Sequence, residues 1–169
     1  MIERYARKIL ASLKLQSWAP NTLKRVNEIE DFWGYGKSAI GSAEFLLQHG
    51  NHFYAVKILL THGLELLLKA LLRIKNENKY GELRNSPDKH NYQKFYESNK
   101  KFYPTLSSQE LDDLICTLHK RFSENSVKAR YDTTSGSFLP VSTFCILYEK
   151  LIVPHESDIK KFLEEVRLP

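Results

Sequence analysis

Four residues able to do chemistry recur on one helical face of this chain. His62, Glu65, Lys69 and Arg73 follow one another at three- and four-residue intervals within HFYAVKILLTHGLELLLKALLRIKN, residues 52–76. That spacing stacks their side chains along a single stripe. The rest of the helix is apolar nearly all round, so these ionisable groups need partners, because an unpaired buried charge is costly. Glu65 and Lys69 can pair along the helix, with Lys69 reaching solvent along its alkyl stem. Arg73 extends the basic end of the stripe and can help hold an anion. Further along, Arg130 offers a phosphate-contacting guanidinium, and the adjacent Tyr131 a ring for base stacking. Arg130 is also the expected bidentate partner of Glu65, a pair that would fix the register of the fold. The candidate nucleotide- or RNA-binding set is therefore Arg130, Tyr131, Lys69 and Arg73. Glu65, His62 and His90 form a structural polar cluster, in which His90 anchors its loop to a backbone carbonyl or to the stripe.

Other chemistries find less support. His62 with Glu65 resembles a reversed fragment of a helical metal motif, but a di-metal bundle needs Glu-x-x-His pairs on two helices, and this sequence lacks them. Its two cysteines, Cys116 and Cys145, lack zinc-ligand spacing. No metal or cofactor is expected. Gly34-Tyr35-Gly36-Lys37 lacks the second half of either phosphate-binding glycine fingerprint. His119 shares a helical face with Cys116, yet an apolar helix more often buries such a thiol than activates it. Both cysteines read as reduced and buried, which points to a cytoplasmic protein.

The elements that must position these residues are helices. Residues 3–16 read as a short amphipathic helix ending near Pro20, and Asn21 or Thr22 can cap a long helix reaching Gln48. Gly34, Gly36 and Gly41 lie inside it, where they can admit a neighbouring helix closely. His49-Gly50-Asn51 reads as a sharp link, with glycine in the left-handed conformation, closing an antiparallel hairpin onto the Leu-rich helix. A polar stretch over 77–104 contains a short helix near Tyr92–Phe102. Ser107 or Ser108 then caps a helix whose first turns are acidic and last turns basic, as the helix dipole favours. A Thr/Ser/Gly loop over 132–140 precedes Val141–Val153, which reads as a buried helix or, given its β-branched and aromatic residues, as a strand, and which Pro154 ends; a small amphipathic helix closes the chain.

The 169 residues fit one domain, with residues 1–20 flanking, 21–135 the core and 136–169 the C-terminal helices. The predicted class is all-α, an antiparallel bundle of four or five core helices with short flanking helices. The charged N-terminus shows no signal peptide, and His62, Glu65 and Lys69 at the centre of the longest apolar run argue against a membrane span. The formal charge of +5 divides into +7 over residues 1–130 and −2 over 131–169. This balance is compatible with an anionic partner, but charge alone favours ordinary solvated surface.

Taken in order, these features resemble a known family. An aromatic helix entry (Phe32-Trp33-Gly34-Tyr35) leads into a tight link, then the run Glu65-Leu66-Leu67-Leu68-Lys69-Ala70-Leu71, an isolated His90, and Ala129-Arg130-Tyr131. Over about residues 30–135 this is similar to the HEPN domain, named for nucleotide binding in higher eukaryotes and prokaryotes. The resemblance implies a helical bundle, commonly a homodimer, working near nucleotides or RNA. Leu-rich surface on the central helices would supply the dimer contact. Many members are metal-independent ribonucleases carrying an Arg followed four to six residues later by a His; others accompany a nucleotidyltransferase in toxin–antitoxin pairs. This chain departs from the nuclease signature. Neither Arg130 nor Arg121 has a histidine at that distance, and only Arg84 and His90, in a polar loop, satisfy it. The expectation is therefore a non-catalytic nucleotide- or RNA-associated binding module. The alternatives are a ribonuclease with an atypical site, needing His90 or His119 beside Arg130 or Arg121, and a helical partner subunit of a nucleotidyltransferase.

Overall fold

The structure, a computed structural model, describes the backbone of residues 2–50, 53–123 and 139–167, and the side chains of 22–50, 53–122 and 139–166. The order is α1 (Ile2–His49), α2 (Phe53–Lys75), α3 (Glu77–Arg84), α4 (Tyr92–Lys100), a 3-10 turn (Pro104–Leu106), α5 (Gln109–Ser123), α6 (Ser142–Leu147), a π-turn (Tyr148–Ile152) and α7 (Val153–Arg167). No strand occurs among the described residues, and the fold is all-α. None of these helices is long and apolar enough to cross a membrane.

α2 is the central rod that its composition predicts. Val56, Leu60, Leu64, Leu67, Leu68, Ala70, Leu71 and Leu72 are all sealed from solvent. These leucines belong to the core of the chain itself, while Leu23 and Phe45 on α1 and Ile58 on α2 are exposed. α1 runs antiparallel to α2: Arg25 lies beside the Arg73 carbonyl at one end, while Gly36 meets Gly63 and Leu67 further along. The Gly36–Gly63 crossing leaves no room for side chains. A Cβ built on Gly63 would lie 2.9 Å from the Gly36 carbonyl oxygen, and one on Gly36 would lie 2.8 Å from Leu67 Cγ. The close approach expected of the α1 glycines is thus made by Gly36, whereas Gly34 has open space around it.

Several local expectations are corrected. α1 continues through Pro20 instead of breaking there. A proline removes one backbone bond, that to the carbonyl four residues earlier, and a helix can pass such a site. No described glycine has a positive φ, so Gly50 does not end α1 in the left-handed conformation; Asn51, its expected capping partner, lies outside the described residues. Pro154 does not end a helix either: α6, the π-turn and α7 follow without interruption. The π-turn gives the physical reason. Val153 N–H bonds back to the Tyr148 carbonyl, and this wider turn accommodates a ring that brings no donor of its own. Cys116 is only partly buried and Cys145 is exposed, so neither is a core thiol. α3 is absent from the sequence reading because Tyr80 is its only buried residue and no apolar periodicity marks it. Asn76 starts it, accepting from Lys79 N–H at 2.9 Å. Ser108 caps α5 as expected, its hydroxyl accepting from Leu111 N–H at 3.3 Å.

Polar side chains tie the remaining helices to the α1–α2 pair. Asn99 on α4 is fully buried and donates to the Leu68 carbonyl of α2 at 2.8 Å. Glu156 on α7 accepts from Trp33 Nε1 at 2.8 Å and from Lys37 Nζ at 2.9 Å. Burial alone would raise the Glu156 carboxyl, but these two donors outweigh it and hold the group below the usual range. His155, only 1% exposed, donates from Nδ1 to the Leu151 carbonyl at 2.7 Å and accepts the Thr105 hydroxyl at Nε2, 2.8 Å away. Both nitrogens are thus used by a neutral ring, and burial lowers its proton affinity. The unfolded chain takes up this proton near pH 6.5, before the folded one does. Stability from this site is therefore complete above about pH 6.5 and is lost as pH falls toward the lower folded-state value. Urea midpoints at pH 7.5 and 5.5 should show the loss in the wild type and a smaller one in His155→Gln. Parallel midpoints would contradict it.

Candidate functional site

The four-residue stripe on α2 changes character along its length. Arg73, at the sealed end, is 6% exposed. Its Nε donates to both Glu77 oxygens at 3.1 Å, Nη1 pairs with Glu28, and the guanidinium lies 4.9 Å over the Tyr80 ring. Burial would lower its proton affinity, but the Glu28 and Glu77 carboxylates raise it further, and Arg73 in turn holds Glu28 below the usual carboxylate range despite burial. Arg25 joins this group, 2.9 Å from Glu77, while donating to the Arg73 carbonyl at the end of α2. Arg73 therefore locks α1, α2 and α3 together, with its charge already answered by two carboxylates.

Lys69 is 9% exposed and does not reach out to solvent. Its Nζ lies 2.5 Å from Glu65 Oε1 and 5.2 Å above the Phe95 ring. The intrahelical pairing expected from the sequence is present, but aromatic cover from α4 turns it inward. The placement of Lys69 and Arg73 directs both cations at carboxylates of this chain, away from any open surface. Arg130 and Tyr131, with the proposed Glu65–Arg130 pair, lie outside the described residues.

The open end of the stripe holds the chemistry. Glu65, itself 8% exposed, accepts from His90 Nδ1 at 3.0 Å, while the His90 side chain is 71% exposed. His90 is thus anchored to the stripe, as its isolated position predicts. The two residues form part of the wall of a cleft of about 700 Å³, within the range of small-molecule sites. α2 contributes Tyr54, Lys57, Ile58, Thr61, His62 and Glu65, a single face at helical spacing. The connection between α3 and α4 contributes Asp88 and His90, and α5 contributes His119 and Phe122.

Three histidines from three separate elements therefore line one cleft. The His119 ring stands edge-on to Tyr92 at 5.6 Å, and Lys57 Nζ lies 5.3 Å from the Phe122 ring centre. Tyr54, half exposed, offers a ring at the rim. Among the described residues no group of three or more His, Cys, Asp or Glu side chains is placed to hold a metal ion. The imidazoles are therefore neighbours around a cavity and not a coordination set. Lys57, Asp88 and Tyr54 are cleft residues that no sequence motif singles out. For Lys57 and Tyr54 a signal existed, since they continue the Glu65 face toward the start of α2; Asp88 had none. Arg121 is exposed and is not part of the cleft wall.

Comparison of the chain with protein-family models, with curated proteins and with solved structures finds no match.

Proposed function

We propose that this protein is a helical binding module that takes a nucleotide or a short stretch of RNA in the cleft between α2, α5 and the α3–α4 connection. This reading carries forward the nucleotide-associated role that the HEPN resemblance implies, with the contacts moved from Lys69 and Arg73 to the cleft. One observation carries it: three imidazoles and Lys57 surround a cavity of about 700 Å³ with Tyr54 at its rim. Imidazole and ammonium N–H groups suit phosphate oxygens. An exposed tyrosine ring suits a base, because every base has a π-face. Calorimetric titration with nucleoside monophosphates and single-stranded RNA tests the reading. Tyr54→Ala and Lys57→Ala should each weaken binding about tenfold, in keeping with roughly 1–3 kcal/mol for a stacked base. Absence of binding at millimolar ligand, or affinities unmoved by both substitutions, would overturn it.

The ribonuclease alternative is favoured by a separate observation: His90, oriented by Glu65, shares the cleft with His119. Two imidazoles are a sufficient acid–base pair for 2′-hydroxyl attack on a phosphodiester. RNA cleavage in EDTA that disappears in His90→Ala would replace the binding reading with this one.

A further inference from the structure

The cleft also carries an inference about how it binds, which rests on the reading above. Its permanent charges cancel. α2 brings Lys57 and Glu65, with Lys69 neutralising Glu65 from behind, and the α3–α4 connection brings Asp88. What remains is three imidazoles: His62 from α2, His90 from the connection and His119 from α5. The phenols of Tyr54 and Tyr92 complete the ionisable groups of the wall. Imidazole is the side chain whose charge ordinarily changes between pH 5 and 8. From these positions we infer that the cleft binds a phosphate-bearing anion together with protons, so that acidification switches it from a neutral cavity to an anion receptor.

The physical argument is linkage. An anion stabilises the charged form of nearby imidazoles, and by reciprocity protonated imidazoles raise affinity for the anion. His90 is suited to this: Glu65 accepts its Nδ1–H, and that bond strengthens when the ring is charged. Lys69 keeps Glu65 from presenting a net negative charge to the incoming phosphate. Each linked proton changes affinity by up to about tenfold per pH unit across its titration range.

The probe is a thymidine–thymidine deoxydinucleotide. Its single phosphodiester keeps one negative charge over the range used and has no 2′-hydroxyl through which it can be cleaved. Titrations at pH 8.0 and 6.0, with circular dichroism confirming that the chain stays folded despite His155, should show binding about tenfold tighter at the lower pH. Repeating them in two buffers of different ionisation enthalpy should give net uptake of about one proton per ligand near pH 6.5, a readout that needs no variant. The triple substitution His62→Gln, His90→Gln, His119→Gln should abolish both the pH dependence and the uptake. Equal affinity at the two pH values without proton uptake would overturn this inference while leaving the binding module standing. No binding at either pH would overturn both.

Discussion

Glu65→Ala is expected to destabilise the folded chain by about 2–4 kcal/mol, because it strands a buried ammonium. Lys69 has its Nζ 2.5 Å from Glu65 Oε1 and only 11% of its side chain exposed. Phe95 covers it at 5.2 Å, a cation–π contact that compensates the lost carboxylate in part. The expected range lies below that of a fully sealed pair because the lysine stem has some freedom to move its charge toward water. The same substitution releases His90 from its one described partner. Replacing both members, as in Glu65→Leu with Lys69→Met, should return stability to within about 1 kcal/mol of wild type, since two apolar groups leave no charge uncompensated. Urea unfolding of the three proteins measures the comparison. A Glu65→Ala midpoint equal to wild type would mean that the pair is not buried as described. The nucleotide titration of the double variant then separates support from binding: retained stability with lost affinity assigns Glu65, through His90, to the site.

The second large effect belongs to the helix crossing. Gly63→Val is expected to lower stability by about 3 kcal/mol, at the upper end of overpacking costs. Its Cβ would meet the Gly36 carbonyl oxygen at 2.9 Å and Ile40 Cδ1 at 2.9 Å. Ile40 can shift, but a backbone oxygen cannot yield without separating α1 from α2. That separation would loosen the leucine core beneath, where Leu60, Leu64 and Leu67 have no solvent exposure. Gly34→Ala on α1, two residues from Gly36, is the control. Beyond its chain neighbours and its own helix backbone nothing lies within 4 Å of the added Cβ, so the substitution should stabilise by up to about 1 kcal/mol through helix propensity. Opposite shifts in melting temperature are the expected pattern. Tolerance of valine at 63 would contradict the close approach.

What was legible in the sequence follows from the kinds of signal that local residues carry. The apolar circumference of α2 announced a central helix, and the α1 glycines a close neighbour. Ser108 announced the start of α5 through hydroxyl chemistry that depends on three residues only. Prolines misled at both Pro20 and Pro154, because a proline reports a missing donor and not whether a longer helix or a π-turn can absorb it. The stripe was found, but its environment was not. Whether Lys69 and Arg73 face water or carboxylates depends on Phe95, Glu28, Tyr80 and Glu77, all of which lie outside α2. The cleft was least legible. His62, His90 and His119 stand on three elements with no common motif, and only the packing of α4 and α5 against α2 brings them to one wall.

The most direct test of the account places the ligand among the imidazoles. The chain has six histidines, and His49 and His155 lie away from the cleft, the first exposed on α1 and the second buried beside Thr105. Imidazole proton–carbon NMR spectra, recorded as a nucleoside monophosphate is added near pH 6.5, distinguish them. The account predicts progressive shifts at His62, His90 and His119, with His49 and His155 unmoved. Shifts confined to other histidines, or none at saturating nucleotide, would contradict it.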